Sequence, residues 1–433
     1  MPEQYRMRRQ RWIIFGILAL SYILAYFYRV SLAVVAGDIS RELHLSPQQL
    51  GSLSSILFYV YAAAQIPLGP LIDRLGGRLV IGCSGLLTTI GGILFSQATT
   101  IATALGGRVL IGVGTASVLM ATLAIFSRWF SQQEFGKVSG LMVAIGNVGN
   151  VAGTAPLALA VAAIGWRDSF LTIGVVQGVA ALLVLAFLRN RPPEGMHTGA
   201  EHDDAGPEEM LRAWKTIFTT LDFWLVGLAA FAWYGAYLAL QALWGGPYLM
   251  EVLKYSRVET GRMLMATSVG FITGSLMIDS IARKVLYSYR KTLRYGQIGL
   301  FALMLNFLGM AERLPVGVLL VLFFLIGICV SSGVMIYPIV RGLFSVRIVG
   351  TALTSLNFFV LMGAATAQQV MGEIIGAVRK LTPGDAAAAF HAGFKFPIGC
   401  LAVAIVLFFF SRGDEPVTKP HPHPVPPLEG EGT

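Results

Sequence analysis

The chain has 433 residues, of which 55% are hydrophobic and only 13% are charged, and its formal net charge is +9. An ordinary soluble domain carries roughly 25% charged residues, so this composition excludes a soluble protein. The basic residues lie between apolar runs and do not form one basic, aromatic-lined surface, which argues against nucleic-acid binding.

Twelve apolar segments, each long enough to cross a bilayer, follow one another along the chain. A transmembrane helix needs roughly 20 mostly apolar residues. We predict six helices at 12–37, 48–71, 79–97, 101–127, 136–163 and 168–188. Six more are predicted at 221–250, 258–282, 293–311, 315–338, 348–376 and 390–411. The sequence therefore predicts an all-α membrane protein with twelve transmembrane helices in two pseudo-symmetric six-helix halves.

Basic residues predict how these helices are oriented, because cytoplasmic loops are enriched in Lys and Arg. With both termini inside, the cytoplasmic segments hold 21 basic residues and the outer loops hold nine. The basic start, 1–11, precedes an apolar run longer than that of a signal peptide, so we expect it to be retained in the cytoplasm. We expect a multi-pass monomer of the bacterial inner membrane, without a bound cofactor or metal.

Two polar stretches divide and end the chain. Residues 189–220 mix prolines with acidic residues and are predicted to link the bundles 12–188 and 221–411. Residues 412–433 are rich in proline and are expected to form a disordered cytoplasmic tail. Apolar residues at helical spacing near the end of the linker indicate either a short helix at the membrane interface or an early start of the seventh helix: Leu211, Trp214, Ile217 and Phe218.

The two predicted halves share an internal repeat. Leu45–Gly51 aligns with Tyr255–Gly261 at an offset of 210 residues, and Leu71–Asp73 aligns with Met277–Asp279. Duplicated six-helix halves are expected to enclose a central site at their interface.

The loop between the second and third helices carries a specific motif. It reads G-x-x-x-D-R-x-G-x-R, with Gly69, Asp73, Arg74, Gly77 and Arg78 at the fixed positions. This pattern resembles the signature loop of the major facilitator superfamily. The resemblance implies that the glycines permit close helix approach and that the charged residues form a gating lock, which breaks when the transporter changes state. A degenerate copy in the second half places Asp279 and Arg283 in the same role.

A weaker motif begins the fourth helix. Arg108–Gly114 resembles the R-x-x-x-G-x-G motif of the same superfamily, in which the glycines let helices approach closely. The alternative is that Arg108 snorkels to the outer interface. In the fifth helix, Gly146, Gly149 and Gly153 only partly resemble the glycine–proline motif of drug exporters, since Thr154 follows Gly153. This departure is evidence against proton-driven export, which stays an alternative.

Arg29 is predicted to lie deep within the first helix. It follows Trp12 by 17 residues, or about 26 Å along a helix, where a charge costs several kcal/mol unless it meets water, a counter-ion or substrate. Tyr22 and Tyr26 share its helical face. This face suits capture of a carboxylate or phosphate. The alternative is that Arg29 snorkels toward the outer interface near Gly37.

The sequence around Arg29 is similar to the organic-anion and organophosphate branch of the superfamily. That branch pairs the first-helix arginine with a second arginine in the seventh helix. Here the seventh helix has no basic residue, and Arg29 aligns with Ala239. We therefore expect a monocarboxylate or a polar neutral solute and not a dianionic phosphate ester.

The seventh helix offers a second candidate face. Trp233, Tyr237, Gln241 and Trp244 recur at helical spacing, either as a cavity wall or as packing, and Gly245–Pro247 is expected to break the helix at its outer end. Other polar candidates for substrate contact, each of which could equally join helices, are Tyr61, Gln65, Asn147, Asn150 and Asn357.

The source of energy is only partly constrained. The sequence contains no phosphate-binding G-x-x-x-x-G-K-[ST] loop, and Glu373 is the one carboxylate clearly within a predicted helix. Proton coupling through Glu373, uniport and exchange all remain open. The predicted function is secondary transport of a small organic solute, possibly an organic anion, by alternating access. A transporter-like receptor is the alternative, and no catalytic cluster suggests an enzyme.

Overall fold

A computed structural model describes residues 2–190, 207–345 and 348–411. The first half contains α1 (Pro2–Val30), α2 (Leu32–Glu42), α3 (Pro47–Ser96), α4 (Ile101–Ala116), α5 (Val118–Trp129), α6 (Gln132–Ala152) and α7 (Ala155–Phe187). Then comes α8 (Pro207–Thr219), followed by the second half: α9 (Leu221–Leu238), α10 (Gly245–Glu251), α11 (Arg257–Lys284), α12 (Tyr289–Met304), α13 (Val316–Ser331), α14 (Ile336–Leu343), α15 (Val349–Leu381) and α16 (Ala386–Phe408).

Two glycines divide the longest helices of the first half. Gly76 in α3 has φ 76° and Gly165 in α7 has φ 80°, a backbone conformation that residues with a Cβ rarely adopt. Each of these helices is therefore two helices joined at a sharp turn, as the predicted boundaries near 71–79 and 163–168 require. Conversely, α1 with α2 and α4 with α5 each form one span. The prediction of twelve transmembrane helices in two halves is confirmed.

Nine of the helical segments in the described residues are long and apolar enough to cross a membrane on their own. Three segments with more polar sequences complete the twelve: the first part of α3, the α6 segment and α12. Such segments are stable in a bilayer when their polar side chains face other helices or a water-filled space.

The internal repeat is visible in the local geometry of the two halves. Ser46 caps α3 and Ser256 caps α11, and each forms a reciprocal capping box with the residue three positions later. Just before these caps, His44 has φ 52° and Lys254 has φ 62°. Both pairs differ by the predicted offset of 210, so the same turn was kept in both copies.

The seventh transmembrane segment does not break at Gly245–Pro247 as the sequence suggested. After α9 the chain forms a π-helix, Ala239–Trp244, and continues directly into α10. The wider π-helical turns accommodate the missing N–H of Pro247 without ending the helix.

The linker contributes a separate helix. Thr220 is extended, with φ −85° and ψ 112°, between α8 and α9, so the early start of the seventh helix is wrong and the short helix is present. The remainder of the predicted linker and the predicted C-terminal tail lie outside the described residues.

Candidate substrate-binding site

Arg29 lies in the last turn of α1, two residues before Ser31, where α1 continues into α2. It is 8% exposed, so it does not reach the outer interface and the snorkelling alternative is wrong. Its guanidinium carbon lies 4.5 Å from the ring centre of Tyr26 and 4.8 Å from that of Tyr61. Cation–π contacts of this kind contribute about 0.5–2 kcal/mol each.

Phenols from both halves surround the guanidinium. Tyr234 of α9 and Tyr337 of α14 lie close enough to Arg29 to interact with its charge. The Tyr22 hydroxyl donates to the Tyr26 oxygen at 3.2 Å. We call this set the tyrosine cage: Tyr22, Tyr26, Tyr61, Tyr234 and Tyr337.

The charge of Arg29 has no acidic partner among the residues that the structure describes. Ion pairs occur elsewhere in those residues, but none includes Arg29, and its Nε has no hydrogen-bond partner there. A buried, unpaired cation is costly, and neutral phenols offset only part of that cost. The arrangement therefore suits an added anion.

The predicted binding face of the seventh segment mainly contacts neighbouring helices. The indole of Trp233 donates to the Val330 carbonyl at 2.7 Å, and the amide of Gln241 donates to the Leu264 carbonyl at 3.1 Å. Trp244 donates to the Gln368 carbonyl at 2.9 Å, and Tyr237 stacks on Phe271 with ring centres 5.9 Å apart. Through these hydrogen bonds Trp233, Gln241 and Trp244 hold the segment against α11, α13 and α15, whereas the ring of Tyr237 also lies 6.0 Å from that of Tyr234 in the tyrosine cage.

Sequence reasoning missed Tyr234 and Tyr337. Tyr234 follows Trp233 directly and is rotated by about 100° around the helix, which turns it toward Arg29 while Trp233 packs. Its partial exposure beside a fully buried neighbour is a structural property that spacing alone does not reveal. Tyr337 lies before Pro338 in a short helix, where no periodic pattern could orient it.

The remaining polar candidates split into two groups. The Asn357 amide donates to the Gln65 carbonyl oxygen at 2.9 Å, which joins the second half to the first. Asn147 and Asn150 instead bond within α6, with the Asn150 amide donating to Asn147 at 3.1 Å. The helix α6 still borders the cage, because Gly146 packs directly on the ring of Tyr22.

The two ends of the bundle differ in how closely the halves approach. We call the end where α1 begins and α16 ends the tail face, and the opposite end the distal face. At the distal face, a Cβ on Gly246 would overlap the Ala33 carbonyl oxygen, and one on Gly372 would lie 2.7 Å from the Pro47 carbonyl oxygen. At the tail face, a Cβ would meet no atom within 4 Å at Gly69, Gly342 and Gly350.

Comparison with known proteins identifies the family. The sequence profile of the Major Facilitator Superfamily matches residues 18–368. The chain belongs to this superfamily. It is accordingly a multi-pass membrane protein of a transporter family.

Relatives within the superfamily include anion carriers. A probable sulfoacetate transporter of Cupriavidus necator is 28% identical over 289 residues, covering 64% of this chain and 66% of that protein. A probable L-galactonate transporter of Escherichia coli K12 is 28% identical over 285 residues, covering 62% of this chain and 60% of that protein. The chain thus matches slightly less than two thirds of each relative's length.

Solved structures share the fold at low identity. A bacterial homologue of the lysosomal transporter Spinster, in an inward-facing and unoccupied conformation, has a TM-score of 0.75 at 16% identity and covers 93% of this chain and 96% of that one. A D-xylose–proton symporter has a TM-score of 0.73 at 14% identity, with 94% and 98% covered.

The superfamily's signature loop packs closely around Gly76 and Gly77. Gly76 makes the turn, and a Cβ on Gly77 would lie 2.9 Å from the Ala121 carbonyl oxygen of α5. The Arg78 backbone N–H donates to the Asn190 side chain at 2.8 Å, and its Nε donates to the Leu185 carbonyl at 3.0 Å. Arg78 therefore ties the loop to the end of α7.

The other signature charges that the structure describes lie at the surface. Arg74 is exposed, and the side chain of Asp73 lies outside the described residues. In the second copy, Arg283 pairs with Asp279 at 2.9 Å within α11, and both side chains are more than half exposed. Their gating roles remain proposals.

Arg108 of the superfamily's second motif is fully buried, so snorkelling is wrong here as well. Its Nη1 donates to the Tyr28 carbonyl at 3.0 Å and its Nε to the Leu53 carbonyl at 3.2 Å. A Cβ on Gly112 would lie 2.9 Å from the Leu57 carbonyl oxygen, which agrees with close helix approach. Arg108 thus holds the backbone of α1 immediately before Arg29.

Glu373, the carboxylate considered for proton coupling, is exposed on α15.

Proposed function

We propose that this chain carries a small organic monoanion, such as a carboxylate or a sulfonate, across the membrane by alternating access. The observation that carries the proposal is Arg29, which is buried inside the tyrosine cage without a carboxylate partner in the described residues. A guanidinium offers paired donors that match a carboxylate or sulfonate. The relatives described as sulfoacetate and L-galactonate transporters support an anion.

A single negative charge fits the site best. The cage surrounds Arg29 with neutral hydroxyl groups, and the Gln65 and Asn357 amides add neutral hydrogen-bonding groups on the path between the halves. Phenols and amides bind hydroxyl and carbonyl groups of a solute but do not balance a second charge. We therefore expect sulfonates and monocarboxylates to bind better than phosphate monoesters.

Alternating access is supported by the unequal ends of the bundle. The distal face is closed by Gly246 on Ala33, whereas Gly69, Gly342 and Gly350 at the tail face have open space around them. With the positive-inside orientation, the distal face would be periplasmic and the tail face cytoplasmic, in a bacterial inner membrane. Asp73, Arg74 and Arg78, together with Asp279 and Arg283, would then pair when the tail face closes.

Counterflow in proteoliposomes tests the function. Vesicles preloaded with sulfoacetate, a hexonate or a short monocarboxylate should take up the labelled form of one of them. Arg29→Ala should abolish this uptake and Arg29→Lys should retain a part. A sensor would bind such an anion, seen as thermal stabilisation, without counterflow.

Arg108→Ala provides the matched control, because it removes the other arginine buried in the helices of the first half. It should lower the melting temperature of the protein and leave the order of preference among anions unchanged. If Arg29→Ala kept wild-type uptake of every anion that the protein carries, the proposed site would be wrong.

A further inference from the structure

The helix α8 has an exposed side that the transport function does not use. Ala213 and Ile217 are buried against the bundle, whereas Arg212, Trp214 and Lys215 are exposed. These three exposed residues and Phe218 line a shallow, open cleft of about 380 Å³ on the surface. Two cations and two aromatic rings therefore meet at one surface site.

The cleft is continuous with the apolar surface of α9. The ring centres of Trp214 and Phe218 are 5.9 Å apart, and Trp224 lies 5.8 Å beyond Phe218. The Trp224 indole also donates to the Phe218 carbonyl at 2.9 Å, which fixes the end of α8 to the first turn of α9. From that point an apolar ladder, spaced i, i+3 and i+7, runs along the exposed side of α9: Leu221, Trp224 and Leu228 are 70%, 41% and 38% exposed.

We infer that this cleft binds an anionic phospholipid, with its phosphate at Arg212 and Lys215 and an acyl chain along the α9 ladder. The two cations are three residues apart, about 4.5 Å along the helix axis, so both can reach one phosphodiester. Arg donates to phosphate in pairs, and tryptophan is favoured at the level of lipid headgroups.

A lipid fits this surface better than an acidic peptide does. A peptide would satisfy the two cations, but it would not extend into the bilayer, where the exposed ladder of α9 lies. A phospholipid has a charged head and an apolar chain joined in the same order as the cleft and the ladder. The geometry thus matches one molecule along its whole length.

Thermal unfolding of the full-length protein in detergent tests the inference. Added phosphatidylglycerol should raise the melting temperature more than phosphatidylcholine does. The variant Arg212→Gln/Lys215→Gln should lose more than half of this difference. The control Lys137→Gln/Arg341→Gln removes the same charge from exposed sites on the tail face and should keep it. Native mass spectrometry should show the matching loss of bound phosphatidylglycerol.

Several outcomes would overturn the inference. The inference would be wrong if Arg212→Gln/Lys215→Gln kept the full extra stabilisation by phosphatidylglycerol. It would also be wrong if both double variants lost that stabilisation equally, since this would indicate only an effect of general surface charge. Equal stabilisation by inorganic phosphate or by an acidic peptide would show that the apolar ladder plays no part. Equal melting temperatures of all variants without lipid would verify that each one folds.

Discussion

Arg257 and Asp38 form an ion pair between the two halves at the distal face. The Arg257 Nη2 lies 2.5 Å from the Asp38 carboxylate, and the side chains are 25% and 16% exposed. Asp38 also accepts from Arg41 at 2.8 Å, three residues later in α2. The pair joins the end of α2 to the beginning of α11, where opening of the distal face must separate them.

Asp38→Asn should therefore favour the state in which the distal face is open. Loss of a partly exposed ion pair is expected to change the free-energy difference by about 1 kcal/mol, or roughly fivefold in the ratio of the two states. Distances measured between spin labels at the exposed positions His44 and Lys254 should show a larger population of molecules with a longer separation between the labels. The exchange Asp38→Arg/Arg257→Asp should restore the population with the shorter separation. If neither variant changed the distances, a gating role for this pair would be contradicted.

Gly246→Ala should abolish transport, because its Cβ would overlap the Ala33 carbonyl oxygen when the distal face is closed. Backbone atoms cannot move aside as a flexible side chain can, so closure itself is prevented. We expect at least about a tenfold loss of counterflow, which corresponds to 1.4 kcal/mol or more. Gly342→Ala, where the new Cβ meets no atom within 4 Å, should transport normally; a similar loss there would point to a general effect of glycine replacement.

Tyr234→Phe should weaken substrate binding without destabilising the protein. Its phenol lies close enough to Arg29 to interact with the charge, so its hydroxyl can donate to an anion held on the same guanidinium. Loss of one such hydrogen bond is expected to cost about 1 kcal/mol, or about fivefold in KM. The neighbouring Trp233→Phe should show the opposite pattern, a lower melting temperature from the lost bond to Val330 and an unchanged KM. Interchanged results would mean that the orientation of this segment is wrong.

Glu42 should make the first half sensitive to acid. Its carboxylate accepts from Arg167 at 2.8 Å and from Trp166 at 2.6 Å, and these hydrogen bonds hold its pKa below the ordinary value of 4.5. A lowered pKa means that the stabilisation is present above pH 4.5 and is lost as the pH falls through the lowered value. Melting temperatures measured from pH 7 to pH 3 should fall less in Glu42→Gln than in the wild type, by a small margin because the side chain is 46% exposed.

The fold could be predicted from sequence because it depends on quantities that sequence records directly. Apolar length gave the spans, and the repeat between Ser46 and Ser256 predicted two halves whose capping turns agree. The π-helix before Gly245 was not predictable, since its buried residues pack against α2 and α15 and spacing within one segment does not record that packing.

The site was only partly predictable for a similar reason. The depth of Arg29 follows from its distance along α1, and Tyr26 follows from the helical period. Whether Tyr234 or Trp233 faces the centre depends on how α9 is rotated against α13, which Gln241 and Trp233 fix through bonds to other helices. Spacing within one helix carries no information about that rotation.

The tyrosine cage takes rings from both halves, so the environment of Arg29 changes whenever the halves move relative to each other. Tyr26 and Tyr61 travel with the arginine, whereas Tyr234 and Tyr337 belong to the other half. The solute's dissociation constant on one side of the membrane therefore need not equal that on the other, and measurements made from a single side would describe only half of the transport cycle.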